Sequence, residues 1–128
     1  MSNLLRSASA TLLGLAAAAS GGALLLAGPA ANAAALAPVT VTIQAEGTDL
    51  SGTVSSTRAV CEADRNVIVF KQVGTRGGGD DIRFANDTSD SDGDWNTGNT
   101  GTEGRFYAKV KKNLQCQADL SPTIRATR

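Results

Sequence analysis

Six aspartates, Asp80, Asp81, Asp87, Asp90, Asp92 and Asp94, fall within residues 80–94, whose second part, Asn86–Asp94, is entirely small and polar. Clustered carboxylates with a glycine for the turn are the donor set calcium takes, and Asp90, Asp92 and Asp94 are the candidate ligands. Set on the twelve-residue calcium loop, Gly93 at the sixth position puts Thr88 first and Asn99 last, neither a carboxylate. The same residues make an ordinary Asp/Gly turn whose short side chains bond their own backbone, which is the reading preferred here. Two carboxylates across a cleft could also run glycoside hydrolysis, but these sit in polar turns with nothing apolar to raise a pKa. The chain contains no His, so neither a Ser-His-Asp nor a Cys-His arrangement can be built. Gly77-Gly78-Gly79 has no helical pattern behind it and is not a phosphate loop. No catalytic residue and no cofactor is expected.

Other reactive side chains are few. Cys61 and Cys116 are the two cysteines, and without His or further Cys they make a poor metal set. A disulfide between them is expected. Lys71 with Asn66 or Asn113, and Glu103 as the acid, is a candidate set for an intramolecular Lys–Asn cross-link. The run Lys109-Val110-Lys111-Lys112 beside Tyr107 could meet a polyanion, although lysines also protect an edge strand from aggregation. Asn86-Asp87-Thr88 fits a glycosylation acceptor.

Composition bounds the partners and the compartment. Twelve basic residues balance twelve acidic ones, which argues against electrostatic capture of nucleic acid or an anionic membrane. A charged start with Arg6, a Leu/Ala/Gly run over Thr11–Ala27 and the small-x-small exit Ala31-Asn32-Ala33 predict a secretory signal peptide over residues 1–33. The apolar run is short of a comfortable membrane span. Residues 34–128 then form one secreted domain, of a size at which a covalent tie is common.

These side chains must be positioned by strands. Val39–Ala45 alternates apolar and polar with many β-branched residues, so Val39, Val41, Ile43 and Ala45 should face inward. Leu50–Val54 is a weaker strand in which Gly52 marks a bulge or a close backbone approach. Glu62–Asn66 reads as a charged turn. Val67–Phe70 is apolar on both sides and reads as a central strand covered on each face. Ile82–Phe84 is a short strand, and Asn86–Asp94 and Asn96–Gly104 read as loops around an inward-folded Trp95. Arg105–Lys112 is the clearest strand, with Phe106, Ala108 and Val110 on one side and Tyr107, Lys109 and Lys111 on the other. A last strand is centred on Ile124. No helical periodicity persists after the leader. Seven or so strands at this spacing predict a single antiparallel Greek-key β-sandwich.

A Cys before a V-I-V-F strand, a D-S-D-G-D-W turn, then G-R-F-Y-A-K-V, a second Cys and a final S-P-T-I-R strand form a familiar order. It resembles the carboxypeptidase regulatory-like, or prealbumin-like, sandwich of many secreted bacterial proteins, over about Val39 to Ala126. Immunoglobulin-like domains use similar hairpins. The Gly-rich insertions at Gly77–Gly79 and Asn96–Gly104 depart from the pattern, and no enzyme is attached. The resemblance implies an accessory role, binding or structural, for a non-catalytic module at or beyond the cell surface, with no membrane contact after cleavage. The competing expectation is a calcium-dependent or carbohydrate-binding, lectin-like protein using the Asp-rich loops, and less so a small secreted hydrolase.

Overall fold

The computed structural model describes residues 35–128; the expected signal peptide lies outside them. Nine strands and one short 3-10 turn occupy these residues. They are β1 (Val39–Val41), β2 (Gln44–Glu46), β3 (Asp49–Ser56), the 3-10 turn Ala59–Cys61, β4 (Asn66–Gln72) and β5 (Ile82–Thr88). After them come β6 (Asp94–Asn99), β7 (Gly104–Val110), β8 (Asp119–Leu120) and β9 (Ile124–Ala126). All strand pairs are antiparallel and divide into two sheets. In the larger, β9, β7, β4 and β5 lie in that order and β8 shares the β9 edge of β7. In the smaller, β1 and β2 line one edge of β3, and β6 lines the other.

Alternation explains which faces meet. Val39, Val41, Leu50 and Val54 from the smaller sheet and Val67, Val69, Phe106, Ala108 and Val110 from the larger are buried in one core. Val67–Phe70 is central as expected: β5 and β7 flank it, and Ile68 is buried on the side away from that core. The run expected over Val39–Ala45 is instead broken at Thr42 and Ile43. There Thr42 leaves the regular ladder to bond Thr53: its amide donates to the Thr53 carbonyl at 2.9 Å, and its hydroxyl oxygen accepts the Thr53 amide at 2.9 Å.

The two polar stretches read as loops are strand over about half their length, while Ser89–Gly93 and Thr100–Glu103 stay outside the strands. β5 continues through Asn86, Asp87 and Thr88, paired to Ile68, Val67 and Asn66. Asp94–Asn99 pairs with β3 from Asp49 to Thr53. Their residues lie at sheet edges, where a ladder partner on one side suffices to hold polar sequence extended. Trp95 is the large apolar contribution of β6, and at 2 % exposure it is part of the core.

Gly52 makes room for it. The two residues are register partners, and a Cβ on Gly52 would lie 2.0 Å from the Thr42 carbonyl oxygen and 2.8 Å from Trp95 Cζ2. Gly52→Ala should therefore destabilise by about 1–3 kcal/mol through overpacking, and Trp95→Ala by about 3–5 kcal/mol through the cavity left. Urea unfolding measures both; an unchanged midpoint for either variant would contradict this packing.

Candidate functional site

Three places gather side chains able to do chemistry or recognition. The acidic turn between β5 and β6 is the first. Asp90 Oδ1 accepts the amides of Asp92 at 2.8 Å and Asp94 at 3.0 Å, and Asp90 and Asp94 close the turn backbone to backbone. Gly93, at φ +87°, brings its carbonyl to the Val54 amide at 2.7 Å, and a Cβ there would sit 2.2 Å from the Val54 oxygen. The turn is thus tied to β3 by a contact only glycine permits. Asp90, Asp92 and Asp94 are all exposed, and their carboxylate oxygens come within 4.8 Å of one another. Asp90 spends one oxygen on the backbone amides of the turn, which gives the turn hydrogen bonds of its own to hold it. Asp87 lies apart from this trio and accepts the Asn96 amide at 2.8 Å, joining β5 to β6.

A polar cleft of about 430 Å³ opens beside the turn, with Thr42, Gln44, Ser51, Thr53, Asp87 and Asp94 among its lining. Trp95 also borders it, but the ring is buried and offers no face for stacking on a sugar. Its Nε1 has no hydrogen-bond partner.

The second place is the end of the sandwich that holds the cysteines. Cys61 and Cys116 are disulfide-bonded, with Cα atoms 5.6 Å apart. Arg65, read as part of a charged turn, is buried beside them. Its guanidinium donates to the Cys61 carbonyl at 2.9 Å and the Lys111 carbonyl at 2.7 Å. Its amide donates to Ser89 Oγ at 2.9 Å, and the Ser89 amide returns to the Arg65 carbonyl. Burial pushes the guanidinium pKa down from its ordinary value. Nothing in the sequence marks Arg65, since a charge before a strand is usually exposed.

The third place is the outer face of the larger sheet. Phe70 and Tyr107, register partners, stack with centroids 5.4 Å apart, and Arg76 lies 5.4 Å above the Tyr107 ring. Arg76 reaches there from the Gly-rich loop and donates to the Ser121 carbonyl. The Tyr107 hydroxyl donates to Asp81 Oδ2 at 2.5 Å, and Asp81 also accepts the amides of Gly77 and Val73. The loop is therefore strapped across the sheet.

The cross-link set does not assemble. Lys71 lies beside Gly104, while Asn66 is at the other end of β4 bonded to Asn86, and Asn113 caps the amides of Gln115 and Cys116. The edge-strand explanation for Lys109 also fails, because β7 is paired on both sides, to β4 and to β8 and β9. Asn86 of the acceptor triplet is exposed on β5. No family model, curated protein or solved structure matches this chain.

The Tyr107–Asp81 pair makes a pH prediction. The Tyr107 hydroxyl bond holds the Asp81 carboxyl below its usual value, with the Gly77 amide adding to it. Burial, then the bond to Asp81, pushes the Tyr107 phenol up to about 12. The raised phenol stabilises the fold fully below its unfolded value of about 10, and the contribution is lost as pH climbs through about 12. The lowered carboxyl acts oppositely: its share is present above about 4 and lost as pH falls through the folded value. Tyr107 is the single tyrosine, so phenolate absorbance reports it alone. The midpoint should sit near 12 in the native protein and move toward 10 in Asp81→Asn. A native midpoint near 10 with folded circular dichroism would contradict the bond.

Proposed function

We propose that this protein is a secreted, non-catalytic β-sandwich module that binds a partner at or beyond the cell surface. The observation that carries the reading is the Cys61–Cys116 disulfide, because such bonds persist in oxidising compartments. The apolar, Ala-terminated leader over residues 1–33 agrees with export. The lack of His supports a binding rather than a catalytic role.

The fold within this proposal is the seven-stranded Greek-key type. β1 and β2 share one edge of β3, and β8 and β9 share one edge of β7, so each pair acts as one interrupted strand. The resulting order, first strand–β3–β6 against last strand–β7–β4–β5, suits an immunoglobulin-like arrangement. The carboxypeptidase regulatory-like resemblance stays a proposal of shared motifs. A calcium-dependent reading has one observation in its favour, the mutual approach of Asp90, Asp92 and Asp94. The turn's own hydrogen bonds account for that approach, so it ranks second.

Expression of the full precursor tests the proposal. Mass spectrometry of the culture supernatant should find a terminus near Ala34 and the mass of the disulfide form. An intact Met1 terminus, recovery only in membranes, or two titratable thiols in the native protein would overturn it.

A further inference from the structure

Formal charge balance conceals a segregation between the two sheets. The strands of the smaller sheet, β1, β2, β3 and β6, contain no Lys or Arg and carry Glu46, Asp49 and Asp94. The strands of the larger carry Lys71, Arg83, Arg105, Lys109 and Arg125 against Asp87 and Asp119. Four of these five cations share the outer face. Arg105 and Lys109 alternate with the core residues Phe106, Ala108 and Val110, Arg83 is opposite the outward Phe70, and Arg125 is opposite Arg105. Arg76 joins them from the loop above Tyr107.

We propose that this face is a docking surface for a linear polymer of repeating phosphate groups. The proposal rests on the reading of the protein as a binding module and names its surface and partner. Arg105 and Arg125 are direct cross-strand partners, an arrangement in which like charges repel. An anion lying between them turns that repulsion into attraction. The bonds of Arg76 and Arg105 go to the backbone carbonyls of Ser121, Val73 and Gly74, which leaves the charges uncompensated by those contacts. Asp80 and Asp81 are the nearby loop carboxylates, and Asp81 is occupied by Tyr107, Gly77 and Val73. Guanidinium predominates, and its planar fork matches phosphate oxygens. The cations run from β5 to β9 across three strand spacings, about 14 Å, which one small anion does not span. Protection of a sheet edge does not explain Arg105 and Lys109, since β7 lies between paired neighbours, whereas Arg83 and Arg125 stand on the outer strands β5 and β9. Tyr107 is buried under Arg76 and Phe70 is half-buried against it, so neither ring stands free as a platform for stacking nucleic-acid bases.

The test is titration of the purified protein with inorganic polyphosphate. Binding should weaken about a hundredfold between about 50 and about 200 mM salt if four cations engage. Arg125→Gln should weaken binding at least about tenfold, the size of one lost charge-assisted contact. Without polyphosphate the same variant should melt about 2 °C higher, from relieved repulsion. Arg58→Gln, an equal charge change at an exposed position just after β3 of the smaller sheet, should leave binding within about twofold. No binding at low salt, equal losses in both variants, or binding only to anionic vesicles would overturn the proposal. So would salt-sensitive self-association through the acidic sheet of a second copy in place of polymer binding. Each result is independent of export and thiol state, so failure here is distinguishable from failure of the secretion reading.

Discussion

The Cys61–Cys116 bond is the constraint on which the organisation of this domain depends. It closes a 55-residue separation, for which loop entropy gives about 4 kcal/mol, a large share of what a domain this size possesses. Its position matters as much as its magnitude. Cys61 ends the 3-10 turn that carries the chain from the smaller sheet to the larger, and Cys116 follows β7. Beside Cys116, Ala37 exchanges backbone bonds with Gln115 and Gln117 before the chain enters β1. One covalent link thus gathers the start of the domain, the first crossing between sheets and the exit from β7. Arg65 reinforces the same junction with charge-assisted bonds to both sides.

At other places backbone and side chain substitute for a missing ladder. Where β8 stops and Pro122 prevents continuation, Ser121 Oγ accepts the Ala108 amide at 2.8 Å and its own amide donates back to Ala108. Asp119 reaches the Val41 amide at 2.8 Å, linking β8 to β1 across the layers. These polar bridges let short, interrupted strands close a sandwich in which long continuous ones are few.

The strands with strong alternation, Val39–Val41 and the Phe106–Ala108–Val110 run, were legible in sequence because one face is core and the other is not. The cysteine pairing was legible from composition and leader. β5 beyond Phe84 and β6 around Trp95 were not, since Asn, Asp, Thr and Gly carry turn chemistry and only pairing with Val67 or Gly52 makes them extended. The acidic turn was correctly placed, but its attachment to β3 through Gly93 depends on a tertiary approach. Arg65 and the Arg105–Arg125 opposition were invisible for a related reason: both are properties of register and burial between segments far apart in the chain. Balanced net charge averages two sheets whose charged residues the fold separates.

A molecule with one acidic and one basic sheet, locked by a bond at a single end, suits a rigid recognition module. The disulfide's role at that end is tested most directly by amide hydrogen exchange of the oxidised and reduced protein. The account predicts that reduction strips protection first from Ala37, Asp64, Cys116 and Gln117, whose amides bond within the stapled end. Val69 and Ala108, in the central ladders, should lose protection later. Identical exchange patterns before and after reduction would contradict it.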